Sequence, residues 1–276
     1  MGCPAATLAD ACSLAAEFLI PAIELRSLGN TLDLPGLFAG SGWTPAVVRE
    51  TCTRHSVRLT SAGSSFKLIS PDPAERTALL EFCGWADLLK IPFVRVFGGG
   101  KWGTPLSDAD YANAVRNVAW WRSEKAARGW QIEMLLETHD SFAASAPCLK
   151  LNAALAQPLN LIWDSHHTWR YAGEPPADTW RRIGQFVKHV HVKDSVNLPS
   201  ARHPYTYVLI GEGQMPLAET VQVLRAGKFT GDVSLEWEKL WHPYLPPLSA
   251  ALDGLRKQPW FSPAPAAAKI IPVLHR

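Results

Sequence analysis

The chain has 276 residues, 47% apolar and 19% charged, a composition far from the apolar-poor, highly charged signature of disorder. Its 27 Lys and Arg against 25 Asp and Glu leave a formal charge of +2, which provides no general attraction to a phosphate backbone, although a local basic patch would not register in that sum. No stretch approaches the ~20 apolar residues that span a bilayer, and no basic segment followed by an apolar core marks a secretory signal. The five cysteines, Cys3, Cys12, Cys52, Cys83 and Cys148, are odd in number and share no CxxC spacing. Reduced, buried thiols in a soluble cytoplasmic protein are the expectation, with neither a disulfide framework nor a zinc knuckle. Twelve tryptophans are many for this length.

Along the chain, short β-branched or apolar runs alternate with longer Ala-rich amphipathic ones. The first helix-like run is 7–18, and the first strand-like run, 22–26, follows it. A helix over 44–54 precedes a strand at 56–60. A helix over 74–89 follows Pro71-Asp72-Pro73-Ala74-Glu75, which puts Pro and Glu early. A strand at 93–97 leads to a helix over 107–128, whose Ser107 precedes an acidic first turn. Strands at 132–138, 159–164, 187–193 and 232–237 then alternate with helices over 144–155, 178–186, 216–226 and 247–257. Parallel neighbours need helical crossovers, so this alternation predicts a parallel sheet. Seven βα units in a chain of about this length suit a (β/α)8 barrel better than an open sheet. Gly98-Gly99-Gly100 lacks the third glycine and the downstream acid of a dinucleotide fingerprint.

The chain opens on a helix, so a complete barrel needs one more strand than these seven. Either the barrel is incomplete or another segment fills the gap. The C-terminal run 269–274 is the only candidate, and a right-handed crossover through the 247–257 helix would deliver it there. Pro272 argues against this, because it has no N–H for the ladder. The organisation expected is a single barrel over 1–258 and a Pro/Ala-rich tail over 259–276, with 259–268 a linker wrapping the barrel.

Catalytic groups of such barrels sit where strands end and the following loops begin. The last four strands end in Glu137-Thr138-His139-Asp140, Asp164-Ser165-His166-His167, His191-Val192-Lys193-Asp194 and Glu236-Trp237-Glu238. Glu137 to Asp164 is 27 residues, and Asp164 to His191 is 27 again. One βα repeat separates each pair, which predicts equivalent heights on successive strands. His191 to Glu236 is 45 residues, with the loop 195–215 as the excess. A lone carboxylate at a strand end is ordinarily solvated, and a lone His ordinarily satisfies a hydrogen bond. Four such residues in register are hard to explain that way, and they predict one divalent metal ion. Mixed oxygen and nitrogen donors suit Mn²⁺ first, then Mg²⁺, Co²⁺ or Zn²⁺.

Several ordered segments carry a resemblance: LLETHD at 135–140, WDSHH at 163–167, HVHVKD at 189–194, GEG at 211–213, VSLEWE at 233–238 and, earlier, AIELR at 22–26. Together they resemble the xylose isomerase-like superfamily of sugar and sugar-phosphate isomerases and epimerases, over roughly residues 7–258. The resemblance implies that Glu137, Asp164, His191 and Glu236 bind the metal, and that Glu137 and Glu236 also act as the acid/base pair. It implies substrate contacts from His167, three residues after Asp164, and from Arg202 in the loop after the seventh-strand motif. His139, Lys193 and Glu24 are carried over as substrate contacts or as hydrogen-bonding supports of a ligand. Trp102 is expected beside the substrate, and two or three of Trp102, Trp163, Trp169, Trp237 and Trp241 are expected to line the pocket, where an indole face stacks on sugar C–H groups. Core packing is the alternative fate for each.

The activity expected is isomerisation or epimerisation of a sugar or keto sugar, by proton abstraction next to a carbonyl through a metal-stabilised enediolate. A dehydratase or lyase acting on a keto sugar or keto-inositol starts with the same proton and stays open. An apurinic-type endonuclease would carry histidines on earlier strands and an Asp where Ala201 precedes Arg202-His203, and the small net charge also disfavours nucleic acid. A non-catalytic sugar-binding subunit is the remaining alternative. The partner expected is a small sugar or sugar derivative, with neither nucleic acid nor membrane, and a homo-oligomer is compatible with the sequence.

Overall fold

A computed structural model of the chain describes residues 1–260, together with the backbone of 272–275. The strands are β1 (Ala22–Leu25), β2 (Arg58–Lys67), β3 (Phe93–Phe97), β4 (Glu133–Glu137), β5 (Asn160–Asp164), β6 (Val187–Val192), the short pair β7 (Asp194–Val196) and β8 (Thr206–Val208), then β9 (Asp232–Leu235) and β10 (Pro272–His275). Seven of them, β1–β6 and β9, run parallel and curl nearly into a barrel. The backbone of β10 pairs in parallel with both β1 and β9 and closes it. The gap at the first-strand position is thus filled by the C-terminal segment. Pro272 is tolerated because it is the first residue of β10, where a missing N–H costs little. The barrel backbone therefore draws on residues beyond 258. The linker expected over 259–268 lies mostly outside the described residues.

Each crossover is helical. α1 (Leu8–Glu17) precedes β1. α2 (Leu34–Gly40) and α3 (Pro45–Arg54) connect β1 to β2, and α4 (Pro73–Leu88) and α5 (Asp108–Arg128) follow the next two strands. α6 (Ser145–Ala154), α7 (Ser165–Ala172), α8 (Pro176–Ile183), α9 (Leu217–Ala226) and α10 (Leu248–Arg256) complete the outer ring. The starts follow local chemistry. Ser107 Oγ accepts from the Asp110 N–H at 3.2 Å while the Asp110 carboxylate accepts from the Ser107 N–H at 2.8 Å, a reciprocal cap worth roughly 1 kcal/mol. α5 ends where Gly129 turns left-handed at φ 67°. The sequence missed α2, α7, the hairpin β7–β8 and the length of β2, which runs ten residues rather than five.

The hydrophobic core lies between barrel and helices. Trp163 and Trp237 belong to it, with each indole N–H satisfied, by Thr168 Oγ1 at 2.9 Å and by the Pro246 carbonyl at 3.0 Å. All five cysteines are free thiols, four of them buried. No described helix is long and apolar enough to cross a membrane. The barrel interior, by contrast, is polar. At the N-terminal end of the strands, Asp232 accepts from Arg58 and Thr60. One layer up, the Glu24 carboxylate gathers His189, at 3.0 Å, and Ser234, at 3.0 Å. Above it, at the strand ends, lies the site.

Candidate metal centre and substrate cavity

Strand register brings the four expected donors together. Asp164 and His191 are direct partners across β5 and β6. Glu137 pairs with Ile162, two residues short of Asp164. Glu236, one residue past β9, follows Leu235, the partner of Val192. The offsets are even, so all four side chains stay on the inner face of a tilted barrel. One ligand atom from each of Glu137, Asp164, His191 and Glu236 falls within 4.8 Å of the others, and all four residues are buried.

Neighbouring side chains hold each donor. His191 Nε2 faces Glu24 Oε2 at 3.2 Å, which turns Nδ1 toward the cluster, 3.1 Å from Glu137 Oε1. A carboxylate behind a ring nitrogen fixes the tautomer and raises the basicity of the other nitrogen. Arg95 Nε lies 3.3 Å from Glu137 Oε2. Burial works to raise the Glu137 carboxyl, but Arg95 and His191 outweigh it and hold it down at about 2. Asp164 goes the other way. Burial, reinforced by Glu236 and Glu137 against the pull of Lys193, pushes it up to about 8. Lys193 is buried among carboxylates, 2.9 Å from Asp164 Oδ2, 2.9 Å from Glu238 Oε1 and in close contact with Glu236. Asp164, Glu236 and Glu238 keep it charged well beyond its usual range, against the effect of burial.

This crowding tests the fit of a metal. Three buried carboxylates and one oriented imidazole form a hard, oxygen-rich donor set, and Asp164 is raised by its burial first and by the neighbouring Glu236 and Glu137 second, against Lys193. A divalent cation matches that set in both charge and donor type.

The cluster opens into a cavity of about 380 Å³ lined by Glu236, His139, His167, Trp102, Arg202 and Trp241, among others. His167 Nδ1 lies 3.1 Å from the Thr138 carbonyl and 3.1 Å from Asp164 Oδ2. Burial, with Lys193 and His139 nearby, lowers its pKa well below the usual value, so the ring is neutral and Nε2 is left for a ligand. His139 sits between Phe97 and Trp102, at centroid distances of 4.6 and 4.5 Å. Trp102 in turn stacks on Tyr171 at 3.9 Å. Arg202 is exposed at the rim, where its guanidinium reaches the Trp241 carbonyl at 3.3 Å. Of the five tryptophans singled out, Trp102 and Trp241 line the cavity. Trp163 and Trp237 are core, and Trp169 packs against the core. Glu24 and Lys193 are not among the lining residues. Both act on the cluster from beneath and beside it.

Sequence reasoning passed over much of the wall. Arg26, Arg95, Tyr171, Tyr205, Tyr207 and His203 all line the cavity. The three tyrosine hydroxyls form a chain, with Tyr171 to Tyr205 at 2.9 Å and Tyr205 to Tyr207 at 3.2 Å. Tyr205 and Tyr207 arrive on and beside β8, whose hairpin Asp194 helps to fix. Its carboxylate accepts from the N–H groups of Gly211, Gly213 and Met215, each at 3.0 Å. A Cβ on Gly213 would fall 2.1 Å from Asp194 Oδ1, which accounts for the second glycine of the GEG segment. For Arg95 the available signal was a charge between Val94 and Val96 in the middle of a buried strand.

Residues 14–260 match the family described as xylose isomerase-like TIM barrel, and the chain belongs to it. No curated protein matches the chain. Among solved structures, the chain is similar to the probable 3-DHS dehydratase AsbF, involved in petrobactin synthesis, from Bacillus anthracis: 20% identity, TM-score 0.73, covering 91% of this chain and 94% of that one. It is similar to the IolI protein with a bound zinc atom at 15% identity and TM-score 0.72, over 93% and 92% of the two chains. A D-tagatose 3-epimerase-like protein is similar at 16% identity and TM-score 0.59, over 84% and 88%. At these identities the likeness concerns the fold.

Proposed function

We propose that the chain is a divalent-metal-dependent isomerase or epimerase of a sugar or keto sugar that works by removing a proton next to a carbonyl. The observation that carries this is the convergence of Glu137, Asp164, His191 and Glu236 within 4.8 Å at the base of a cavity. Glu137, Asp164, His191 and Glu236 would hold a divalent ion, Mn²⁺ by preference, which would supply Lewis acidity to the bound sugar. Glu137 and Glu236 serve as the acid/base pair. Arg95 and His191 keep Glu137 ionised, so its carboxylate is ready to accept a proton without first losing one. His167 offers Nε2 to a substrate hydroxyl, and Trp102 with Tyr171 excludes water from the opposite wall. Arg202 closes the rim. Glu24 orients His191, and Lys193 positions the carboxylates of Asp164 and Glu236. Nucleic acid is no part of this reading, and a cytoplasmic setting suits five free thiols.

Loss of a β-leaving group after the same proton abstraction would make the enzyme a lyase. The fold shared with a probable dehydratase is compatible with that outcome. Incubation with a panel of sugars and keto sugars in D₂O, with added Mn²⁺ and NMR detection, separates the cases. Deuterium at the carbon next to the carbonyl with a new epimer or isomer is the expected result, and an alkene product identifies the lyase. No exchange with any member of the panel overturns the reading.

A further inference from the structure

The cavity wall carries a positive pair of which the proton-transfer scheme uses only Arg95, through Glu137, and leaves Arg26 without a task. Arg26, one residue past β1, and Arg95 of β3 meet over Gly63 of β2. A Cβ on Gly63 would lie 2.7 Å from Arg26 Cδ and 2.9 Å from Arg95 Nη2, so the two guanidinium groups pass where only a glycine leaves room. Both residues are buried, Arg26 at 5% exposure, and both line the cavity. Their partners differ. Arg95 is matched by Glu137 at 3.3 Å. Arg26 donates to the Gly63 carbonyl at 3.2 Å and to Ser65 Oγ at 3.0 Å, both neutral, and among the described residues no carboxylate lies within 4.0 Å of it. Burial first, and then Arg95, lowers the Arg26 pKa to about 9, against the more distant Glu137, Glu236 and Glu24, which act to raise it. A buried guanidinium beside a second one is costly unless an anion joins them, and the planar fork of arginine suits two-point recognition of carboxylate or phosphate.

We propose that Arg26 and Arg95 form an anion subsite for the substrate, which is therefore an acidic keto sugar carrying a carboxylate or phosphate, not a neutral sugar. This rests on the keto-sugar reading above and narrows it. The acidic group seats on Arg26, and the carbonyl end lies toward the carboxylate cluster that Arg95 borders through Glu137. Arg202 at the rim adds a third positive charge along the entry path.

Calorimetric titration of the Mn²⁺-supplemented and the metal-free protein with D-fructose, D-fructuronate and D-fructose 6-phosphate tests the subsite. At least one anion should bind about tenfold or more tighter than D-fructose, in keeping with hydrogen bonds to charged groups, and the preferred anion tells carboxylate from phosphate. Arg26→Gln should abolish the preference, and Arg26→Lys, which keeps the charge and guards against a variant that merely fails to fold, should retain part of it. The proposal is overturned if neither anion outbinds D-fructose, or if folded Arg26→Gln keeps the preference. Deuterium exchange on the same ligands separates this failure from failure of the function. Exchange without an anion preference sinks only the subsite, and an anion preference without exchange sinks only the proton-transfer reading.

Discussion

The two ends of the barrel use the same residue types to opposite effect. At the N-terminal end, one carboxylate, Asp232, meets Arg58 and Thr60. Burial works to raise it, but these hydrogen bonds win and hold it below its ordinary value. At the C-terminal end, Glu137, Asp164 and Glu236 share one small volume, and Asp164 is pushed up to about 8. The first arrangement is matched and stabilises the fold. In the second, Arg95, His191 and Lys193 are present, yet at Asp164 burial with Glu236 and Glu137 outweighs Lys193, which lowers the stability of the folded chain at neutral pH unless a cation arrives, the pattern expected where function is placed ahead of stability.

The largest expected effects lie at the crowded end. Glu137→Gln and Glu236→Gln should each lower turnover by about three orders of magnitude, as loss of a proton-transferring group typically does, while the fold, read by circular dichroism, is retained. A variant of either residue with near wild-type turnover and intact metal content would remove it from the acid/base pair. Asp164→Asn, which removes the charge of a ligand, should weaken divalent-metal affinity by more than the roughly tenfold to hundredfold that loss of a supporting partner costs, measured by competition with a chelator dye. Asp232→Asn should leave metal affinity unchanged and cost only about 1–2 kcal/mol in denaturant unfolding, because Arg58 is half exposed and solvent screens the pair.

The two ends should also answer pH with opposite sign. In the metal-free protein, folded Asp164 keeps its proton up to about pH 8, whereas the unfolded chain releases it near 3.8. Its contribution is fully present below the lower value and is lost as pH rises through the higher one. Asp232, with its folded value depressed below 3.8, contributes stability above that value and loses it as pH falls through the folded one. Thermal unfolding of metal-free protein across pH should therefore show a decline between about pH 4 and pH 8 that Asp164→Asn flattens. Asp232→Asn should flatten only the acid limb. The same slope in wild type and Asp164→Asn would contradict the crowding account. The smallest effect belongs to the rim, where Arg202→Gln should raise KM severalfold at low salt with little change in kcat.

The contrast between ends also marks what the sequence could disclose. The convergence of Glu137, Asp164, His191 and Glu236 was legible because βα repeats place chemistry at strand ends, and two equal spacings of 27 residues put the first three in phase. Closure by 272–275 was legible as an option only, since Pro272 is forbidden inside a strand yet harmless at its first position. Arg26 and Arg95 were passed over because an inward-facing charge looks like an outward-facing one until the register is known. The tyrosine wall depends on a hairpin of three-residue strands, too short for a period-2 signal, held by Asp194 across some twenty residues of loop. The placement of Glu24 and Lys193 beside the cluster, off the cavity wall, likewise needed three dimensions.

The central claim is that the crowded end holds a single divalent ion. Purified protein supplemented with Mn²⁺, passed over a desalting column and analysed by plasma mass spectrometry tests it most directly. The account predicts one ion per chain for wild type and for Asp232→Asn, and almost none for His191→Ala with the fold intact. No bound ion in wild type, three ions per chain, or an undiminished ion in His191→Ala would contradict it.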